Sequence, residues 1–335
     1  MGPEEFIVTI EAILKERVLV LDGAMGTMIQ KYKLEEEDYR GERFKTWPSS
    51  LKGNNDLLVL SHPQLIEEIH KKYLESGADI IETNTINSTR ISMSDYGMED
   101  LVPELNLMAA KLARKCADEY TQKNPDKPRF VAGSIGPTTK WASLPPENNR
   151  SIDFNELVEN YREQTKYLVE GGVDILLVET VTDGLNCKAA LFAIADYFEK
   201  ENKKALPVMV SGTILDASGK MPRGQTIEDF LSSVSHYPLL SIGMNCGHGT
   251  ELMRASLELL AKKSPFHICV YPNAGLPDEF GKYHETPAHM SGLLSEFLKN
   301  KWVNIVGGCC GTTPEHIKAI AEVTRHYSPR PLPES

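Results

Sequence analysis

An α/β fold, a TIM-type (β/α)8 barrel, is what this sequence predicts, because eight short apolar runs alternate with helical patterns along its 335 residues. Polar or glycine-rich residues follow nearly every apolar run, and the joints Gly77-Ala78-Asp79 and Gly172-Val173-Asp174 repeat one helix-to-strand pattern. Strands that alternate with helices are typical of βα units and a parallel sheet. Eight such units predict a barrel whose active site lies at the C-terminal ends of the strands.

The strands and several of the helices can be assigned in chain order. The predicted strands are residues 18–21, 79–82, 130–132, 175–178, 208–210, 240–243, 267–271 and the run that begins at Val303. Helices at residues 64–76 and 154–170 carry apolar side chains at helical spacing on one face, and a glycine follows each of them. Thr313 is the predicted N-cap of the last helix, with Pro314 in its first turn.

Two longer segments, residues 31–55 and 141–151, interrupt this alternation. We predict that both are loops over the barrel mouth, and the alternative is that they are solvated surface insertions. Residues 1–325 are predicted to form the barrel as one domain. Residues 326–335 contain three prolines and are predicted to be a Pro-rich linker or tail that leaves the domain.

The charge and cysteine content exclude several classes of protein. A formal net charge of −11 and a pI of about 5.4 oppose binding to nucleic acid or to an anionic membrane surface. The N-terminus lacks the positive flank of a signal peptide, and no apolar stretch approaches the roughly 18 residues that a membrane-spanning helix needs. Six cysteines in such a chain predict reduced thiols and a cytoplasmic location.

Three of these cysteines follow predicted strands. Cys309 and Cys310 come directly after the eighth strand, among glycines that allow the backbone to leave strand geometry, and Cys246 follows the sixth strand. Three cysteines without an obvious fourth protein ligand are typical of a catalytic zinc site, which keeps one position for water or substrate. The alternatives are buried small hydrophobic residues, redox-active thiols or a strained disulfide.

The other cysteines and the histidines give weaker signals. Cys116, Cys187 and Cys269 fall in helical or strand patterns and are predicted to be structural. His248 lies two residues past Cys246 and is a less favoured zinc ligand, because it lies further along the loop. The remaining histidines that we considered show no ligand spacing and are predicted to be surface or core residues: His62, His70, His267, His284, His289 and His316.

Asp22 and Glu179 each end a predicted strand, so both carboxylates are expected to face the mouth of the same barrel. Together they could hold an ammonium group, although either could instead cap a loop or pair with an internal cation. The turn at residues 23–27, Gly-Ala-Met-Gly-Thr, matches neither nucleotide-binding glycine motif. Its backbone N–H groups at a helix start suit a small carboxylate, unless the glycines only make the turn.

A family resemblance rests on five motifs. They are Leu21-Asp22-Gly23-Ala24-Met25-Gly26-Thr27, Glu82-Thr83-Asn84-Thr85, Glu179-Thr180, Asn245-Cys246 and Gly307-Gly308-Cys309-Cys310-Gly311. Together they resemble the zinc-dependent homocysteine S-methyltransferases, from about residue 10 to residue 325. Within that family, three further motifs look most like the N-terminal, homocysteine-binding domain of cobalamin-dependent methionine synthase. These are Asp56-Leu57-Leu58-Val59-Leu60-Ser61-His62-Pro63, Asp95-Tyr96-Gly97 and Tyr271-Pro272-Asn273-Ala274-Gly275-Leu276-Pro277.

The resemblance implies a metal centre and a reaction. Cys246, Cys309 and Cys310 would bind Zn²⁺, and homocysteine would add its sulfur as the fourth ligand. A metal-bound thiol is deprotonated, so it can attack a methyl group, with methylcobalamin as the expected donor and methionine as the product. Family members of full length continue into cobalamin-binding and folate-binding domains, which are the expected partners. Ile86 is one departure, because that family usually has phenylalanine there.

Seven residues are predicted to contact homocysteine. Asp22 and Glu179 would hold its ammonium group, and the backbone of residues 23–25 would hold its carboxylate. The full predicted set is Asp22, Gly23, Ala24, Met25, Asn84, Glu179 and Asn245.

Asn273 is the predicted fourth zinc ligand in the substrate-free protein. Strand 7 lies between strands 6 and 8 in a barrel, so a residue at its C-terminal end can reach the open corner of the metal. Its neutral side-chain oxygen is a weaker ligand than a thiolate, so homocysteine could displace it. The alternative is that Asn273 only shapes the turn that follows strand 7.

Two other functions compete with this prediction. One is a stand-alone homocysteine S-methyltransferase that takes its methyl group from S-methylmethionine or betaine. The other is a zinc-sensing or redox-sensing barrel in which Cys309 and Cys310 form a disulfide switch.

Overall fold

The structure, a computed structural model, describes residues 3–214, 218–222, 224–247 and 249–333, and it confirms the predicted barrel. The strands are β1 (Leu19–Val20), β2 (Ile80–Glu82), β3 (Phe130–Ile135), β4 (Ile175–Val181), β5 (Val208–Gly212), β6 (Ser241–Cys246), β7 (His267–Pro272) and β8 (Ile305–Val306). All recorded strand pairs are parallel, in the order β1-β8-β7-β6-β5-β4-β3-β2. A parallel bridge between Leu21 and Ile80 joins β1 to β2 and closes the barrel.

Helices surround the strands. They are α1 (Pro3–Glu16), α2 (Met25–Lys31), α3 (Glu36–Arg40), α4 (Leu58–Ser61), α5 (Pro63–Glu75), α6 (Arg90–Met93), α7 (Val102–Lys123), α8 (Phe154–Glu170), α9 (Gly184–Lys200), α10 (Ile227–Val234), α11 (Thr250–Lys263), α12 (Pro287–Lys299) and α13 (Pro314–Thr324). Thr313 is the N-cap of α13 and Pro314 its first residue, as predicted. Among the described residues, no helix is both long and apolar enough to cross a lipid bilayer.

Two apolar layers hold the barrel together. A large one lies between the strands and the outer helices. A smaller one fills the barrel interior, where side chains such as Ile175 and Leu177 alternate inward along β4. Ile10 and Leu14 of α1 belong to this interior cluster and are at most 1% exposed. Helix α1, which no sequence pattern predicted, packs these two side chains against residues at the starts of the strands.

The repeated helix-to-strand joints have the same polar structure. Asp79 accepts a hydrogen bond from the N–H of Val20 at 2.8 Å and binds both terminal nitrogens of Arg17, at 2.8 and 3.0 Å. Asp174 accepts from the N–H of Val131 in the same way and is paired with an arginine of α7. Each aspartate therefore ties a strand to its neighbour at the N-terminal end of the barrel.

The end of the chain and the two long segments have defined contacts. Arg330, in the segment predicted as a tail, is 5% exposed, and its guanidinium donates to the carbonyl oxygens of Ala261, Ser264 and Phe266. Residues 31–55 contribute Gly53 and Asn55 to a cavity at the barrel mouth. Residues 141–151 instead contact the start of α9, through hydrogen bonds to Asp183 and Asn186.

Candidate active site

Three thiols converge at the C-terminal end of the barrel. The sulfur atoms of Cys246, at the end of β6, and of Cys309 and Cys310, after β8, lie within 4.8 Å of one another. The loop after β8 is anchored to β7 and the residues that follow it, because the N–H of Cys309 donates to the carbonyl oxygen of Pro272 at 2.8 Å. Cys246 has a φ of 60°, a left-handed conformation that turns its side chain out of strand alternation. His248 lies outside the described residues.

The three thiols share their protons unequally. Hydrogen bonds from Cys309 and Cys310 lower the pKa of the Cys246 thiol to about 3. The same interaction raises the pKa of Cys309 well above its ordinary value and the pKa of Cys310 to about 11. Cys310 also receives a hydrogen bond from Tyr283, which offsets part of that rise in its pKa. In the cluster without a metal, negative charge is therefore favoured on Cys246 over Cys309 and Cys310.

Asn273 supplies the observation that tests whether a metal fits here. It follows β7, is 4% exposed, and donates from its amide nitrogen to the carbonyl oxygen of Gly247 at 2.7 Å. Its side-chain oxygen is buried and has no hydrogen-bond partner among the described residues. Buried polar atoms are rarely left without a partner, so this oxygen needs one. The Asn273 amide also contacts Cys246 through a hydrogen bond that lowers the pKa of that thiol, so the unpartnered oxygen belongs to a side chain beside the thiols. Three converging sulfurs with such an oxygen next to them fit a metal ion held by thiolates, of which Zn²⁺ is the common case.

A second group, of three acids, lies at the same end of the barrel. Asp22 follows β1, Glu82 ends β2, and Glu179 lies near the end of β4. Asp22 accepts a hydrogen bond from the N–H of Glu82 at 3.0 Å. Glu179 accepts from the hydroxyl groups of Ser134 and Tyr271, the latter at 3.2 Å, and from the carboxyl group of Glu82. The contact between the two carboxyl groups raises the pKa of Glu82 and opposes the rise in the pKa of Glu179, which favours the proton on Glu82.

Burial raises the pKa of all three acids. The rise is large for Asp22 and Glu82, and for Glu82 the negative charges of Glu179 and Asp22 add to it. Burial also raises the pKa of Glu179, although its three hydrogen bonds oppose the rise. Desolvation of a carboxylate without a cation is costly. A ligand that brings an ammonium group into this site would offset that cost.

Two of the thiols, those of Cys309 and Cys310, and the three acids line one cavity of about 200 Å³. Its lining includes Cys309, Cys310, Asp22, Gly23, Ala24, Met25, Glu82, Asn84, Glu179, Thr180 and Tyr271. The cavity is therefore lined by sulfur ligands and carboxylates together, and it has room for a small amphoteric molecule with a thiol group.

Comparison with known families shows which family this chain belongs to. The sequence profile described as homocysteine S-methyltransferase matches residues 19–324. This chain belongs to the homocysteine S-methyltransferase family. It is therefore a methyltransferase, and homocysteine methylation fits its family.

Solved structures of a homocysteine methyltransferase, MmuM from Escherichia coli, share the fold. The metallated form is 23% identical over 93% of this chain and 98% of that chain, with a TM-score of 0.71. The oxidized form is 22% identical over 96% and 99%, with a TM-score of 0.71. The apo form is 22% identical over 96% and 100%, with a TM-score of 0.68.

The turn after β1 in this methyltransferase is tightly packed. A Cβ atom at Gly23 would lie 2.7 Å from the ring of Tyr73, so the position requires glycine. The N–H of Ala24 donates to the hydroxyl of Thr312 at 3.1 Å, and its carbonyl oxygen accepts from the hydroxyl of Tyr73 at 2.9 Å. Met25 begins α2 and, like Gly23 and Ala24, lines the cavity. The residues whose backbone N–H groups were predicted to bind the substrate carboxylate thus lie at the cavity wall. The N–H of Ala24 is already hydrogen-bonded within the protein.

The two predicted asparagine contacts differ from each other. Asn84 lines the cavity and donates to the carbonyl oxygen of Asn55 at 2.8 Å, which ties the β2 loop to residues 31–55. Asn245 is fully buried, and both atoms of its amide are engaged within the protein. Its side-chain oxygen accepts from the N–H of Thr180 at 3.0 Å and the hydroxyl of Ser211 at 2.7 Å. Its side-chain nitrogen donates to the Thr180 hydroxyl at 2.8 Å and lies 3.9 Å from the sulfur of Cys309.

Thr180 has a strained backbone. Its φ is 53°, in the left-handed region, and the pairing of β4 with β5 shifts register between Val178 and Val181. Such a conformation is rare for a β-branched residue and costs on the order of 1–3 kcal/mol. Strain of this size persists only where the surroundings enforce it, and the contacts from Asn245 do so here.

No sequence pattern singled out Glu82, the third member of the acid group, or the hydroxyl groups of Ser134 and Tyr271 that donate to Glu179. Glu82 ends its strand as Asp22 and Glu179 end theirs, so its position was a signal that could have found it. Ser134 and Tyr271 carry no such signal, because a serine and a tyrosine in buried strands are ordinary core or lining residues. Their roles depend on where Glu179 lies in space.

Proposed function

We propose that this methyltransferase activates homocysteine as a thiolate and transfers to it a methyl group from methylcobalamin, giving methionine. The observation that carries the proposal is that thiols and carboxylates line a single cavity of about 200 Å³. Homocysteine carries a thiol at one end and an ammonium group and a carboxylate at the other. It therefore complements both groups of residues in one molecule.

The residues of the chain take distinct roles in this proposal. Zn²⁺ held by Cys246, Cys309 and Cys310 supplies the Lewis acidity that keeps a bound thiol deprotonated. Glu179 and Asp22 bind the ammonium group of homocysteine and thereby orient its side chain toward the cysteines. In the transfer, a bond forms between the homocysteine sulfur and the methyl carbon, while the donor keeps the electron pair of the bond that breaks.

The wider setting follows from the same proposal. The methylcobalamin would be carried by a cobalamin-binding domain, and that domain and a folate-binding domain are the proposed partners. Residues 1–325 would form the homocysteine-binding domain and residues 326–335 a linker to its neighbours. A reducing compartment, the cytoplasm, is the proposed location, because the site needs three reduced thiols and all six cysteines are free in the structure.

A donor assay tests the proposed reaction. Zinc-loaded protein and homocysteine are incubated with free methylcobalamin, S-methylmethionine or betaine in parallel, and methionine is measured. We expect methylcobalamin to support the fastest formation of methionine. Faster transfer from S-methylmethionine or betaine would overturn the choice of donor and leave homocysteine as the acceptor.

Asn273 as the fourth ligand has its own test. X-ray absorption at the zinc edge is expected to change from three sulfurs and one light atom to four sulfurs when homocysteine binds. In Asn273→Ala, the light-atom ligand of the substrate-free protein should change in its scattering, because a water replaces an amide oxygen. An unchanged substrate-free spectrum would show that Asn273 is not a ligand.

A further inference from the structure

The Thr180 and Asn245 side chains connect the two halves of the candidate active site. Thr180 follows Glu179, whose carboxylate belongs to the acid group. Asn245 precedes Cys246 and lies 3.9 Å from the sulfur of Cys309. The amide of Asn245 holds Thr180 by two hydrogen bonds, one to its N–H at 3.0 Å and one to its hydroxyl at 2.8 Å. A single buried side chain thus contacts the metal-binding thiols and the segment that carries the acid.

We propose that Thr180 and Asn245 are positioning residues that fix the spacing between the acid group and the thiols, and so select homocysteine over its shorter analogue cysteine. The inference rests on the proposed function, because the acid group must bind the ammonium group while the sulfur lies at the thiols. Homocysteine and cysteine differ by one methylene between these two ends. A fixed spacing fits only one of them.

The left-handed conformation of Thr180 is strained, and hydrogen bonds to Asn245 stabilise it. With φ at 53°, the β-branched side chain is held against its own backbone preference. The hydroxyl of Thr180 accepts from the same amide that accepts from its N–H, so the pair forms a two-point clamp. Ser211 steadies the amide by donating to its oxygen at 2.7 Å. Removal of the Thr180 hydroxyl removes one point of the clamp and leaves the amide in place.

The relative affinity for homocysteine and cysteine tests whether the spacing between the acid group and the thiols is fixed. Dissociation constants of homocysteine and cysteine are determined by titration calorimetry on zinc-loaded protein, and their ratio is the readout. One methylene in a fitted pocket is worth about 10–200-fold, so the wild-type ratio should lie in that range. In Thr180→Val, which keeps the branched shape and loses the hydroxyl, we expect the ratio to fall by roughly tenfold.

Two matched variants separate positioning from a general loss of stability. Thr180→Ser keeps the hydroxyl and is expected to restore a ratio within about twofold of the wild type. Thr213→Val removes a buried hydroxyl that donates at 3.2 Å to the backbone oxygen of Asn245 and leaves its side chain untouched. It should also keep the wild-type ratio, because the clamp is intact. If Thr180→Val does not fold, Thr180→Gly replaces it, since glycine adopts the left-handed conformation freely.

A second readout needs no metal. In a crystal structure of the metal-free Thr180→Val protein, residue 180 is expected to leave the left-handed region, and the segment that carries Glu179 should move with it. An unchanged φ together with an unchanged affinity ratio would overturn the inference while the proposed function stands. Failure of the wild-type protein to bind homocysteine would overturn the proposed function, and the inference with it.

Discussion

Buried carboxyl groups have different partners at the two ends of the barrel. At the N-terminal end, Asp79 is fully buried and is matched within the protein by both terminal nitrogens of Arg17 and by the N–H of Val20. At the C-terminal mouth, the recorded side-chain partners of Glu179 are hydroxyl groups and another carboxyl group. The acid at the N-terminal end is therefore paired within the folded protein, whereas the acids at the mouth are buried without a cation among their recorded partners.

This difference indicates that the acids at the C-terminal mouth lower the stability of the fold and are retained for function. A buried ion pair that keeps its partner and its hydrogen bonds can hold two strands together. A buried acid without a cation destabilises the folded state, and it is retained where a ligand supplies the cation. The four predictions below compare the two ends, beginning with the largest expected effect.

The metal-binding thiols at the mouth should be the most sensitive positions. Cys310→Ala is expected to abolish tight zinc binding and methyl transfer, because two thiolates bind zinc far more weakly than three. Zinc per chain, measured by atomic emission after gel filtration, is expected to fall from one to near zero. Cys116→Ala, at a fully buried cysteine beneath α5, is the control and should keep its zinc. Stoichiometric zinc in Cys310→Ala would contradict the assignment.

The acid group should control substrate affinity without affecting the metal. Glu179→Gln is expected to weaken homocysteine binding about tenfold to a hundredfold, since a hydrogen bond to a charged group contributes about 1.5–3 kcal/mol. Titration calorimetry on the zinc-loaded protein measures this loss. Asp174→Asn removes a carboxylate at the opposite end of the barrel and should leave homocysteine affinity unchanged. An equal loss of zinc in Glu179→Gln would show that Glu179 supports the metal site instead.

The paired aspartate at the N-terminal end should affect stability alone. Asp79→Ala leaves the buried N–H of Val20 without its acceptor, which is expected to lower the free energy of unfolding by about 1–3 kcal/mol. Asp79→Asn keeps an acceptor for that N–H and loses the ion pairs with Arg17, whose side chain is 39% exposed, and with Lys127. Its expected loss is smaller, below about 1 kcal/mol. Urea unfolding measures both, and weakened homocysteine binding in either variant would break the separation of the two ends.

Replacement of a buried acid without a cation, near the mouth, should instead raise the free energy of unfolding. Asp56 is 2% exposed, and burial raises its pKa to about 6, although Ser88 and the N–H of Asn87 donate to it. Asp56→Asn is therefore expected to raise the free energy of unfolding at pH 8, by an amount on the order of 1–3 kcal/mol.

The pH dependence of that gain is the check on its cause. A folded-state pKa above the unfolded value means that the protonated acid favours folding and that this contribution is lost as pH rises through about 6. The gain from Asp56→Asn should therefore shrink as the pH is lowered below about 6 and vanish below about pH 3, where the aspartate is neutral in both states. A gain that does not change between pH 8 and pH 4 would show that it has another origin.

The sequence by itself determined the barrel and the convergence of its functional residues. Alternation of apolar runs with helical patterns is local information, and parallel βα units bring the ends of all strands to one face. Cys246, Cys309 and Cys310 could be brought together on that basis, because each follows a strand. Asp22 could be placed at the same mouth in the same way. The family resemblance then added the homocysteine substrate.

Only the tertiary structure decided how these groups are matched. Glu82 and Glu179 lie on strands that are far apart in the chain, and the effect of each on the pKa of the other depends on a distance across the barrel that no local pattern encodes. The position of Asn245 was predicted at the site, but its amide turns to Thr180 and Ser211, and the left-handed backbone of Thr180 depends on those contacts. Helix α1 was not predicted, and Ile10 and Leu14 of this helix join the interior cluster, because their packing partners lie at the starts of distant strands. Local periodicity specifies which elements form, whereas side-chain partners arise from contacts between elements that are remote in sequence.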